Sequence, residues 1–150
     1  LSRLWRAPGV ADFAFSAPDR LRTACQIAAG RHQAGHRLVV YCRDTGRLNA
    51  FDQMLWALDD ISFIPHVRVN DPLAADTPIV LTASDAPTPH HDWLLNLDDT
   101  WPPIYTRFQR VIEVVTNDPA DREAARARWR FYQECGHNIV RHDVSRQQMP

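Results

Sequence analysis

The sequence contains no lysine: all 17 cationic side chains are arginines. That absence excludes lysine chemistry, both the Schiff-base amine and the ammonium of a phosphate loop. Glutamate is nearly as scarce, confined to Glu113, Glu123 and Glu134, and the acids and bases almost cancel, leaving a net charge of -1 and a pI near 6.7. No global field draws nucleic acid or a membrane, so any basic function must sit in a local patch. Cys25, Cys42 and Cys135 form no CxxC pair and are odd in number. With no secretory signal ahead of the folded region, they point to a reducing cytoplasm and to thiols acting as small buried hydrophobes. No apolar run approaches the roughly 20 residues that cross a bilayer, so a soluble protein with no membrane partner is expected.

What is present suits one domain: 150 residues, 45% of them hydrophobic, can bury a continuous core without metal or disulfide staples. Residues 1 to 9 (LSRLWRAPG) have no period and read as a loose N-terminal arm or extension. Residues 10 to 144 read as a single α/β domain, and 145 to 150 as a polar C-terminal tail. Val10 to Phe15 has the pattern of a strand. Ser16 with Pro18 then supplies a capping hydroxyl and a donor-free first turn for a helix from Pro18 to Ala34, ended by Gly35. Leu21, Cys25, Ala28, Ala29 and His32 form its apolar stripe. A buried strand at 37 to 42 and a helix from Asp44, carrying Leu48, Phe51, Met54, Leu55 and Leu58 inward, complete a β-α-β-α beginning.

Short strands follow at 63 to 67, 78 to 83 and 92 to 97, punctuated by Pro72, Pro78, Pro87 and Pro89. A helical turn after Trp101 holds Tyr105 and Phe108, and strand 110 to 115 follows. The last helix runs from Pro119 to Gly136, and a final strand covers 138 to 143. The expected architecture is a mostly parallel or mixed sheet of about seven strands with helices on both faces, like a nucleotide-binding fold without a phosphate loop.

Catalysis finds no footing in this pattern. The loop Ser16-Ala17-Pro18-Asp19 has no glycine to admit a pyrophosphate, and Gly30 and Gly35 precede His36-Arg37 rather than Lys-Ser or Lys-Thr. His90-His91-Asp92 is the densest set of potential metal ligands, but neighbours on an extended chain point apart, and Cys135 and His137 join only if the fold brings them near. Asp98-Asp99 suit turn and capping roles, and His66 a structural one. No GxSxG surrounds Ser16, Ser62, Ser84 or Ser145. No catalytic residue, metal site or cofactor is expected, and the protein is not read as an enzyme.

Two surfaces carry information. Placed at 100° intervals, Ala124, Ala127, Phe131 and Cys135 fall on one face of the last helix as a core stripe, with Ala125 and Tyr132 at its edge. Arg122, Arg126, Trp129, Arg130 and Gln133 cluster on the opposite, exposed face. Guanidinium forks beside an aromatic wall suit a partner with carboxylates and an apolar anchor, or a base between phosphates. Around the second helix, LWALDDISFIPH places Trp56, Phe63 and Ile64 in surplus of what a small core needs, which marks either a partner surface or extra core.

The SFIPH stretch and the R-x-R-W-R-F-Y-x-x-x-G helix, with HVRVNDPLAADTPIVLTA, WLLNLDD and RFQRVIEVV between them, resemble the DNA polymerase III chi subunit family over roughly residues 10 to 144. The resemblance implies a non-catalytic accessory subunit of the polymerase holoenzyme, in the cytoplasm, that makes only indirect contact with DNA. Two partners are implied: the psi subunit of the clamp loader, and the acidic C-terminal tail of single-stranded DNA-binding protein. Arg122, Arg126, Trp129 and Arg130 match the family's tail-binding helix, where tryptophan replaces the commoner tyrosine. Trp56, Phe63, Ile64 and Pro65 match its psi-facing region, which in the family also admits a helicase. The competing reading is a direct single-stranded DNA-binding module on the same Arg/Trp face.

Overall fold

In the computed structural model, which describes residues 9–58 and 63–150, seven strands form one parallel sheet. They are β1 (Val10–Ala17), β2 (Leu38–Tyr41), β3 (His66–Arg68), β4 (Ile79–Thr82), β5 (Trp93–Asn96), β6 (Arg110–Thr116) and β7 (Asn138–Asp143). Their order across the sheet is β3-β4-β2-β5-β6-β1-β7. Three helices join them: α1 (Arg20–Gln33), α2 (Thr45–Ala57) and α3 (Pro119–Glu134). The arm expected at residues 1 to 9 lies outside the described residues except for Gly9.

A parallel strand buried on both faces reads as an unbroken apolar run, and β2 (LVVY) and β4 (IVLT) are buried at every position. Alternate residues feed two cores. One lies under α1 and α2, where Cys25, Ile27, Leu48, Phe51 and Leu55 meet Leu38, Val40 and Ile112. The other lies under α3, where Ala125 and Tyr132 meet Phe13, Val39 and Val111. Helices therefore cover both faces, two on one side and one on the other.

The helix punctuation is largely as expected, with one correction. Asp44 and Asp118 cap α2 and α3 by accepting from the backbone N–H of Arg47 and Ala120. Gly35 and Gly136 follow α1 and α3 at φ +82 and +79, where a Cβ would be strained. Helix α1, however, is capped by Asp19, which accepts from Arg22 N–H, not by Ser16. Strand β1 runs on through Ser16, whose φ of 61 accompanies a register shift against β6 between Ala14 and Ala17. The cap moves because the bulge uses up the residues that a Ser16 cap would need.

Candidate functional site

Helix α3 is set on the sheet by a buried ionic network. The fully buried Arg128 donates from Nε to Glu113 Oε1 at 2.8 Å and from Nη1 to the Asp99 carbonyl at 2.7 Å. Tyr132 Oη and Asn96 Nδ2 also donate to Glu113, at 2.8 and 2.9 Å. Burial pushes the Glu113 carboxyl up, and the cation and the two neutral donors oppose that rise. The inward stripe of α3 is therefore Ala125, Arg128 and Tyr132. The expected stripe of Ala124, Ala127, Phe131 and Cys135 is wrong by roughly one residue's rotation: Ala127 and Cys135 are exposed, and Ala124 and Phe131 only partly covered. A pattern that counts only apolar residues cannot see an arginine facing inward to meet a strand glutamate. The same rotation leaves Cys135 as an exposed thiol, whereas Cys25 and Cys42 are buried and burial pushes them up to about 12 and 11.

With Arg128 inward, Trp129 turns toward β1. It is half-buried rather than fully exposed, its ring 5.0 Å from that of Phe13. A groove of about 630 Å³ opens beside it, lined by Arg122, Arg126, Trp129, Arg130 and Gln133 of α3, by Phe13 and Phe15 of β1, and by Arg141 of β7. Thus all four expected residues, Arg122, Arg126, Trp129 and Arg130, come together on one wall. Ser16, Thr116 and Asn117 close the groove at the carboxyl ends of β1 and β6. There the chain leaves β1 through α1 on one face and β6 through α3 on the other, the switch point where open parallel sheets hold ligands.

The electrostatics of the groove are one-sided. Four guanidinium groups line it and no carboxylate does. Arg126 is partly countered by Glu123 at 3.1 Å on the exposed helix surface. Among the described residues, Arg122, Arg130 and Arg141 form no ion pair. The groove accordingly suits an anionic ligand carrying an apolar group that can lie on Phe13, Phe15 and Trp129.

The second surface lies on the other face of the sheet. Trp56, near the end of α2, and Phe63 are 54% and 66% exposed with ring centroids 5.3 Å apart, and His66 lies 4.5 Å from the Trp56 ring. Pro65 is half-buried. Ile64 is buried among α1 and α2 side chains, so it supports this patch from within and offers little surface. Phe63 also borders a recess of about 750 Å³ against Gln26, Ala29, Gly30, His32 and Gln33 of α1.

Comparison with known proteins decides the family. The profile described as DNA polymerase III chi subunit, HolC, matches residues 9–140. The chain belongs to the DNA polymerase III chi subunit family. It is 34% identical over 127 residues to the DNA polymerase III subunit chi of Pseudomonas aeruginosa, covering 85% of this chain and 88% of the relative. The Escherichia coli (strain K12) subunit chi is 27% identical over 116 residues, covering 77% and 79%, and that of Haemophilus influenzae 26% over 122, covering 81% and 85%. The chi family is thus a family of replicative polymerase subunits.

The remaining sequence candidates have structural surroundings in this chi-family fold. His90 is buried with Nε2 against the Thr77 carbonyl, while its neighbour His91 is exposed. Among the described residues, no group of three or more His, Cys, Asp or Glu side chains is placed to hold a metal ion. Asp98 accepts from Arg43 N and Nε, both at 3.1 Å. Asp99 pairs with Arg20 at 2.8 Å and Arg47 at 3.3 Å, which hold its carboxyl below the usual range. His66 bridges the Ile64 carbonyl and Asp52, each at 2.8 Å. Among the described residues no helix is long and apolar enough to cross a membrane.

Sequence reasoning missed Phe13, Phe15 and Arg141. The sequence pattern marks the first two only as strand residues, and Arg141 lies 19 residues beyond Arg122 in sequence. Only the pairing of β1 with β7, which sets Phe13 opposite Arg141, brings these groups to the helix.

Proposed function

We propose that this chi-family chain is a non-catalytic bridge in the cytoplasm. It joins the clamp loader, through the psi subunit, to the acidic C-terminal tail of single-stranded DNA-binding protein, and so couples coated single strands to the polymerase. The observation that carries this reading is the groove: four guanidinium groups, no carboxylate and an aromatic floor. Arg122, Arg126 and Arg130 hold the tail's acidic groups, and Trp129 packs its terminal apolar side chain. Trp56 and Phe63, backed by Ile64 and flanked by Pro65, form the psi-facing surface, which a helicase can occupy in place of psi.

Calorimetric titration with a peptide copying the tail tests the first contact. Saturable binding that Arg126→Ala weakens at least about tenfold is expected, the loss of a charge-assisted contact. The direct single-stranded DNA reading uses the same face and predicts instead that a bare oligonucleotide binds as well as the peptide. It is disfavoured by Trp129, whose packing against Phe13 occupies part of the ring that base stacking would need.

A further inference from the structure

Three of the groove's four arginines, Arg122, Arg126 and Arg130, stand on α3 as one wall, and the fourth stands on the other. Arg141 lies on the edge strand β7, directly opposite Phe13 of β1. Its guanidinium carbon sits 5.0 Å from the Phe15 ring centroid and 6.0 Å from that of Trp129. A guanidinium laid over two ring faces keeps its N–H edge free, and among the described residues no carboxylate takes that edge. Arg126, by contrast, already shares its charge with Glu123.

We infer that Arg141 is a specificity-determining residue of the groove, reading the terminal α-carboxylate of an acidic peptide that ends in an apolar residue. The inference rests on the proposed function and deepens it. A terminal α-carboxylate is joined through one Cα to the last side chain, so wherever that side chain packs on Trp129 the carboxylate must lie within a few ångströms of the ring. Arg141 is a cation already held against that ring, on the wall facing α3. The helix arginines then meet side-chain carboxylates further along the peptide. Two opposed walls of charge fix the direction of the bound chain, because a peptide laid in reverse puts its terminal carboxylate away from Arg141.

The test is a cycle of two peptides and three proteins, read by calorimetry at low salt. The peptides share the acidic sequence with its apolar last residue and differ only at the end, one a free acid and the other a C-terminal amide. The proteins are the unaltered chain, Arg141→Gln and Arg126→Gln. Arg141 is exposed, so Arg141→Gln should unfold with an unchanged midpoint; Arg141→Lys, which keeps the charge but not the fork, is a second probe. The expected result is that Arg141→Gln weakens the free-acid peptide about tenfold and the amide by less than about twofold, with Arg141→Lys between them. Arg126→Gln should weaken both peptides alike. Equal losses on acid and amide with Arg141→Gln would overturn the inference while leaving the groove reading intact. Failure of the unaltered chain to bind either peptide would overturn that reading, and the inference with it.

Discussion

The groove beside α3 and the ring patch at the end of α2 lie on opposite faces of one sheet, and they are built from opposite materials. The groove carries arginine on both walls over an aromatic floor, at the carboxyl ends of β1 and β6. The patch offers Trp56 and Phe63, more than half exposed, beside the amino end of β3. A charged groove recognises acidic groups and responds to salt, whereas an apolar patch recognises shape and responds to truncation. Under the proposed function, placing the two on opposite faces would let one small domain hold two dissimilar partners without either blocking the other.

The comparison can be broken most severely at the root of the groove. Arg128→Ala leaves Glu113 buried without its cation, which should cost about 3–5 kcal/mol in denaturant unfolding and detach α3. The double replacement Arg128→Met with Glu113→Leu should recover much of that stability while leaving the groove weakened, since it removes both charges and the hydrogen bonds that orient the helix. At the patch, adjacent residues should behave differently. Ile64→Ala should destabilise by about 2–4 kcal/mol, because the residue is only 7% exposed, whereas Phe63→Ala should cost under about 1 kcal/mol yet abolish capture of psi. A Phe63→Ala variant that fails to fold would remove the patch from the account.

Salt sharpens the contrast less drastically. Raising it from about 0.05 to about 0.5 M should weaken the acidic peptide about tenfold and psi by much less, as isothermal titration would record. The smallest expected effect belongs to Asp99. Arg20 and then Arg47 lower its pKa in the folded state, so its contribution is present above the unfolded value of 3.8 and is lost as pH falls through the lower folded value. Because that side chain is 61% exposed, the loss should be no more than a few tenths of a kcal/mol in acid unfolding, and Asp99→Asn should remove it.

Periodicity made most of the fold legible. The apolar runs of β2 and β6, the Asp caps of α2 and α3, and Gly35 and Gly136 all mark elements found where their local chemistry places them. The errors fall where a distant group overrides local pattern. Arg128 points inward because Glu113 waits on β6, 15 residues away, and that single pairing turns the stripe of α3 off the one its apolar residues suggest. Ser16 does not cap α1 because β1 bulges through it. At the groove, Arg122, Arg126, Trp129 and Arg130 were legible because one helix carries them all. Arg141 was not, since strand pairing alone brings it there.

The central claim is that both surfaces work at once, and its most direct test is to saturate the chain with purified psi and titrate in the acidic tail peptide. The account predicts a stable ternary complex in which the peptide binds with the affinity it shows for the free chain. Displacement of psi by the peptide, or loss of peptide binding once psi is bound, would contradict it.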